Sequence, residues 1–219
     1  MFKIGLSTWV NVCNAYRALG KGAKKASLQW FPFTKLTEEE WDYLASEDFY
    51  RSYIENGSFV LIKNAMHSSE NYIQKSDGSF RDAALVSPLL YLVLQAVGYE
   101  IASVYMSERP EDISTYYSGR FEEELTVRYK REYDTFFKEI NSYQESYSHY
   151  IKTDITSFFS NINIDKLIER IDDVCNSEET VFSQNQLQLY KKLLEYVGAG
   201  RFPLIENSVM SSYLATEIY

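Results

Sequence analysis

The segment with the clearest chemical potential runs from Tyr150 to Ile162. Within it, Asp154 follows a short apolar, β-branched stretch, and the aromatic residues Phe158 and Phe159 come soon after. A carboxylate at the end of an apolar strand is costly unless it is paired, exposed or bound to a cation. Mg²⁺ typically binds a few carboxylates together with substrate phosphates. Asp154 is therefore a candidate Mg²⁺ ligand, and the alternative is an aspartate that caps the turn after the strand.

Most other kinds of active site lack the residues that they would need. The chain contains two histidines, His67 and His149, and two cysteines, Cys13 and Cys175. These numbers exclude a histidine-rich metal site and a multi-cysteine zinc site. The sequence also has no Walker-type glycine loop and no nucleophile elbow. We expect both cysteines to be packing residues.

The order of residue types around Asp154 resembles the first catalytic motif of reverse transcriptases, in which an aromatic residue follows the aspartate five positions later. The bacterial form has a Lys-Thr-Asp-Ile run that leads into Phe-Phe and then Asn-Ile, as this chain has between Lys152 and Ile162. The resemblance implies that Asp154 is a catalytic ligand of Mg²⁺. It also implies that Phe159 packs under the sugar of the incoming deoxynucleotide and disfavours a 2′-hydroxyl.

A second stretch, from Phe202 to Tyr219, resembles the next motif of this family. That motif is a proline-containing loop leading into a helix that ends in Leu-Ala-x-x-Ile-Tyr. The family usually has glycine two residues after the proline, whereas Leu-Ile-Glu at 204–206 follows Pro203 here. This departure changes the loop that normally contacts the template strand, and it is most similar to abortive-infection and other phage-defence reverse transcriptases, such as the AbiA type. It is compatible with untemplated, protein-primed synthesis.

A third and weaker match lies upstream, where Lys75 and Arg81 flank a predicted β-hairpin. Reverse transcriptases carry a lysine and an arginine on such a hairpin of the fingers, where the two cations hold the triphosphate of the incoming nucleotide. The resemblance therefore adds Lys75 and Arg81 to Phe159 as candidate nucleotide-binding residues. The alternative for each cation is a solvated turn residue. Together the three matches cover residues 59–219.

Nucleotidyl transfer by two metals needs more than one carboxylate. Reverse transcriptases supply the others from a Tyr-x-Asp-Asp hairpin that follows soon after the position of Tyr219. The pair Asp172-Asp173 is not a substitute, because it falls within a helical pattern. We therefore expect this chain to polymerise deoxynucleoside triphosphates only together with the remaining part of the polymerase. The alternative is a non-catalytic interaction module that keeps part of a polymerase fold.

The predicted fold class is α+β and helix-rich, with reverse-transcriptase-like fingers and an incomplete palm. We divide the chain into a basic N-terminal region with a helix (1–58), a fingers-like region (59–148) and a partial palm with a helical insert (149–219). Residues 1–36 are predicted to be irregular. Strands are predicted at 59–63, 80–87 and 149–155, with a hairpin turn at 75–79. Helices are predicted after a capping box at 37–40, and at 88–104, 121–143, 165–174, 183–197 and from 207 or 208 onward.

The formal net charge of −9 excludes a uniformly basic nucleic-acid-binding surface. All 31 acidic residues nevertheless lie beyond residue 37, whereas Lys21, Lys24 and Lys25 cluster in the N-terminal part. This basic patch is predicted to face the phosphates of a nucleic acid, and the alternative is a solvated loop. The longest apolar run, 83–97, is too interrupted to span a bilayer. We expect a cytoplasmic protein without membrane contact that can form a homo-oligomer.

Overall fold

The computed structural model describes residues 1–22, 29, 31–75, 78–105, 129–143, 146–151, 153, 155, 157–205 and 208–219. Within these residues the architecture is α+β and helix-rich, as predicted. The helices are α1 (Leu6–Gly22), α2 (Glu38–Leu44), α3 (Glu47–Phe49), α4 (Pro88–Tyr105), α5 (Tyr129–Tyr143), α6 (Ile164–Cys175), α7 (Gln184–Val197) and α8 (Val209–Tyr213). The strands β1 (Ser68–Gln74) and β2 (Phe80–Val86) form an antiparallel hairpin. Two π-helical turns, Tyr50–Ile54 and Leu214–Ile218, extend α3 and α8.

The prediction that residues 1–36 are irregular is wrong, because α1 occupies much of this segment. Trp9, Cys13 and Tyr16 recur at helical spacing and are buried in the core. The indole of Trp9 also donates a hydrogen bond to the carbonyl of Leu44 at 2.8 Å. This apolar stripe is the signal of an amphipathic helix, and the basic residues around it hid the pattern in the sequence.

The strand predicted at 59–63 is also wrong, since Ser58–Leu61 forms a 3₁₀ turn. The predicted hairpin turn and the return strand are confirmed, and the N–H of Lys75 donates to the carbonyl of Ser79 at 2.8 Å. Counting back from that turn places the partner strand at Ser68–Gln74. Because this strand lies at the edge of the sheet, its residues can be polar. The prediction from apolar content therefore selected the wrong segment, 59–63.

The strand predicted at 149–155 is not formed by the residues of this segment that the structure describes. Tyr150 and Ile151 are instead 89% and 92% exposed. A strand needs a neighbour that takes up its backbone hydrogen bonds, and the sheet of the described residues consists of β1 and β2. β-Branched and aromatic composition alone does not supply such a neighbour.

The predicted C-terminal helices are confirmed, and their first residues explain where they begin. Asn163 caps α6, and Ser208 caps α8. Ser183 and Gln186 form a reciprocal capping box at the start of α7, as Thr37 and its partner do for α2. The helix predicted at 121–143 is confirmed over Tyr129–Tyr143, and residues 121–128 lie outside the described part of the chain.

Helix α4 lies at the centre of one hydrophobic cluster that draws residues from all three predicted regions. It is long and apolar enough to span a membrane by length and composition, and 67% of that span is buried within the protein. Gly98 allows α8 to approach, because a Cβ atom there would lie 2.6 Å from Cγ of Met210. The amide of Gln95 donates to Ser208 at 2.8 Å and accepts from the N–H of Met210 at 3.1 Å.

Candidate functional site

The loop that contains Pro203 is joined to the outer edge of the hairpin. The N–H of Ala84 donates to the carbonyl of Leu204 at 2.7 Å, and Ala84 and Ile205 form a parallel bridge. The buried hydroxyl of Ser211 donates to the carbonyl of Pro203 at 2.8 Å and accepts from the N–H of Ile205 at 3.2 Å. The backbone of this loop is therefore fixed both by the hairpin and by α8.

The β1 side of the hairpin is hydrogen-bonded to the end of α7. The hydroxyl of Ser68 donates to the carbonyl of Val197 at 3.1 Å, and the hydroxyl of Tyr196 donates to the carbonyl of Met66. These contacts hold the hairpin against the segment that leads from α7 to the Pro203 loop. Two distant parts of the sequence thus form one continuous surface.

Gly198 makes the turn out of α7 possible. A Cβ atom at this position would lie only 1.8 Å from the carbonyl oxygen of Arg201 and 3.1 Å from the backbone nitrogen of Pro203. The N–H of Arg201 donates to the carbonyl of Gly198 at 3.0 Å, which closes the turn. The position of the Arg201 backbone is consequently set by glycine at 198.

A cavity of about 330 Å³ lies between the hairpin, the end of α7 and the Pro203 loop. This volume is at the lower end of the range of small-ligand sites. Its wall combines rings and charges, which among the described residues are the aromatic Tyr72, Phe159, Tyr196 and Phe202 and the charged Glu70, Asp82 and Arg201. Such a wall suits a ligand that has both a flat or apolar part and a charged part.

Two of the predicted nucleotide-binding residues meet beside this cavity. Arg81 lies on β2 opposite Ile73, and Phe159 begins the 3₁₀ turn Phe159–Asn161. The guanidinium carbon of Arg81 is 5.9 Å from the centroid of the Phe159 ring, within the range of a cation–π contact. Phe159 is partly buried against the core and lines the cavity. The structure thus places a cation and an aromatic ring side by side.

Lys75 lies at the tip of the same hairpin and is exposed. Its carbonyl accepts a hydrogen bond from the N–H of Gly78 at 3.1 Å, so its backbone is part of the turn. Neither Lys75 nor Arg81 is among the described residues that line the cavity, but Arg81 contacts Phe159, which does line it. The structure therefore brings Arg81 and Phe159 together but leaves Lys75 at the edge of this arrangement.

Asp154 lies outside the described residues, and so do Lys152 and Thr156. The part of the chain that the structure describes contains no group of three or more His, Cys, Asp or Glu side chains that could hold a metal ion. The assignment of Asp154 as a Mg²⁺ ligand consequently stays a prediction. Asp172 instead accepts hydrogen bonds from Asn176 and from Gln184, at 2.7 Å for the latter, which fits its exclusion from the metal site.

Both cysteines are buried, as expected for packing residues. Burial raises the pKa of the Cys13 thiol to about 12. Its sulfur lies 3.8 Å from the carbonyl of Leu44. A thiol with this pKa is uncharged at neutral pH, and since the thiolate is the nucleophile, Cys13 is chemically inert in the folded protein.

Lys3 and Arg17, two of the N-terminal basic residues, have partners within the chain. The ammonium of Lys3 donates to the carbonyl of Val181 at 2.9 Å, and the hydroxyl of Tyr190 donates to the carbonyl of Lys3 at 3.2 Å. Arg17 forms ion pairs with Glu38 and Asp42 on α2. Lys24 and Lys25 lie outside the described residues. The prediction of a nucleic-acid-binding patch therefore depends on the segment around Lys24 and Lys25.

Several residues of the cavity were not predicted from the sequence. Glu70, Tyr72 and Asp82 share one face of the hairpin in the observed register. Their alternation would have revealed this face if the strand at 68–74 had been predicted. No sequence pattern indicated Arg201, because only the folded turn after α7 brings this residue to the cavity.

A scan against protein-family models and a search of curated proteins gave no match to this chain. The functional assignment therefore depends on the residue order of the motifs and on the geometry of the described residues.

Proposed function

We propose that this chain forms the fingers and the first part of the palm of a bacterial, defence-associated reverse transcriptase. Such an enzyme transfers deoxynucleotides to a hydroxyl primer. The contact between Arg81 and Phe159 is the observation that supports this proposal most strongly. The motif resemblance assigns one of these residues to the phosphates and the other to the sugar of a single nucleotide. Residues with those roles must be neighbours, although they come from distant parts of the sequence.

The proposed chemistry requires positioning and charge neutralisation more than covalent participation by the protein. The planar guanidinium of Arg81 suits bidentate binding of phosphate, and the Phe159 ring supplies a flat wall for the sugar. Lys75, at the tip of the hairpin, would contribute a second positive charge to the outer phosphates. Asp154, with carboxylates from the remaining part of the polymerase, would hold Mg²⁺, which neutralises the charge on the transferred phosphate. We place the protein in the cytoplasm, away from membranes.

The nucleotide site can be tested by binding alone. We expect radiolabelled dATP with Mg²⁺ to bind the wild-type chain in equilibrium dialysis, and Arg81→Gln to weaken this binding about tenfold, since a charged hydrogen-bonding group is lost. Phe159→Ala should weaken it by a smaller factor. Arg51→Gln is the matched control, because that exposed arginine pairs with Glu47 on α3. It should bind dATP like the wild type.

If the wild-type chain does not bind dATP, or if Arg81→Gln binds as tightly as the wild type, the polymerase assignment is contradicted. The non-catalytic interaction module would then be the better description. Thermal melting of each variant distinguishes lost binding from lost folding.

The proposed contact with nucleic acid rests on the basic segment. Charge reversal at Lys21, Lys24 and Lys25 should weaken binding of a single-stranded DNA oligonucleotide. It should also reduce the slope of log affinity against log salt by about one for each lost phosphate contact. The control is Lys35→Glu, because Lys35 lies over the ring of Phe31 at 5.1 Å. An unchanged slope in the triple variant would support the solvated-loop alternative.

A further inference from the structure

The charged residues at the cavity include one weak ion pair. A guanidinium nitrogen of Arg201 lies 4.0 Å from a carboxylate oxygen of Asp82, and the two side chains are 72% and 64% exposed. An exposed pair at this distance is readily broken, because water solvates both charges. Arg201 is therefore available to another anion that enters the cavity.

The position of Arg201 does not depend on Asp82. The backbone turn between Gly198 and Arg201 is closed by a 3.0 Å hydrogen bond and fits only with glycine at 198. Phe202, Pro203 and Leu204, which follow directly, also line the cavity and are buried. The backbone of Arg201 therefore stays at the cavity whether or not its side chain pairs with Asp82.

The charges in the cavity wall determine how a phosphate would interact with Arg201 and its partner Asp82. Glu70 and Asp82 contribute two carboxylates to the wall, against the single guanidinium of Arg201. Phosphate oxygens would be repelled by the carboxylates but can bind a guanidinium in a bidentate manner, which is stronger than an exposed ion pair. An arriving phosphate therefore competes with Asp82 for Arg201.

We propose that Arg201 is a phosphate-binding residue of this cavity, in addition to Arg81 beside the cavity, and that Asp82 competes with the nucleotide for Arg201. This inference rests on the proposed function and names a residue that the motif resemblance does not include. Arg81 and Arg201 then bind the nucleotide from different elements, β2 and the turn after α7. Asp82 lowers the affinity for nucleotide by occupying Arg201 when the cavity is empty.

The proposal requires opposite effects from the two partners. In equilibrium dialysis with radiolabelled dATP and Mg²⁺, Arg201→Gln should weaken binding about tenfold, whereas Asp82→Asn should strengthen it about threefold. A purely structural ion pair would instead make both variants equal to the wild type or worse. Thermal melting should show that both variants remain folded, because the pair is exposed.

Glu70→Gln provides the matched control for general electrostatics, since it removes a negative charge from the same cavity without changing the pair. The gain from Asp82→Asn should disappear when Arg201 is also glutamine, whereas any gain from Glu70→Gln should persist in that background. Binding of dATP that is unaffected by Arg201→Gln, or a gain from Asp82→Asn that survives in the double variant, would overturn the inference.

The two proposals fail in different ways. If the wild-type chain binds dATP and Arg81→Gln weakens it while Arg201→Gln has no effect, only the role of Arg201 is wrong. If the wild-type chain does not bind dATP, both the proposed function and the role of Arg201 are contradicted.

Discussion

Asp154→Asn should reduce nucleotide incorporation by about a thousandfold or more in a polymerase that contains this segment with its remaining carboxylates. The change keeps the shape of the side chain but removes the negative charge that the resemblance assigns to Mg²⁺. Losing a main metal ligand costs several kcal/mol of transition-state stabilisation, and about 4 kcal/mol corresponds to a thousandfold in rate. The measurement is incorporation of labelled deoxynucleotide, with thermal melting alongside.

Asp173→Asn is the control for this experiment, because Asp173 is an exposed aspartate on α6 that we do not assign to the metal. It should incorporate nucleotide at nearly the wild-type rate. Near-normal incorporation by a folded Asp154→Asn protein would contradict the catalytic assignment. A large fall in melting temperature would indicate the alternative role, an aspartate that caps its turn.

Gly198→Ala should be strongly destabilising. The added Cβ atom would lie 1.8 Å from the carbonyl oxygen of Arg201, and a backbone atom cannot move away as a side chain can. Opening this turn also disturbs the segment that closes onto the hairpin. We expect the free energy of unfolding to fall by about 3 kcal/mol. The melting temperature should fall by roughly 10 °C for a chain of this size.

Gly5→Ala is the matched control for Gly198→Ala. The nearest atom to a Cβ at Gly5 is a carboxylate oxygen of Glu100 at 3.3 Å, at the end of a side chain that can adjust. Its melting temperature should change by only a few degrees. Equal melting temperatures for Gly198→Ala and the wild type would mean that the turn after α7 tolerates a side chain.

Sequence patterns predicted best the elements that local chemistry determines. The capping box at Thr37 begins α2 as predicted, and α6, α7 and α8 begin within about two residues of their predicted starts. The turn at 75–79 likewise determined the hairpin, since turn geometry sets the register of its strands. These features depend on interactions over a few residues, which the sequence displays directly.

The errors arose where tertiary neighbours decide the structure. The polar strand β1 forms because β2 lies beside it, whereas a 3₁₀ turn covers most of the more apolar residues 59–63. The candidate site also combines features that local sequence determines with features that tertiary packing determines. Phe159 was found from its motif and Arg81 from its hairpin, but their contact and the approach of Arg201 depend on how distant segments pack.

The contacts of Lys3 have a consequence for the order in which this protein can acquire its structure during synthesis. Lys3 is synthesised well before Val181 and Tyr190, yet it forms hydrogen bonds with both. Contacts that close so long a loop form late, because the loss of chain entropy precedes any gain. Lys3 therefore cannot form these contacts until α7 has emerged from the ribosome.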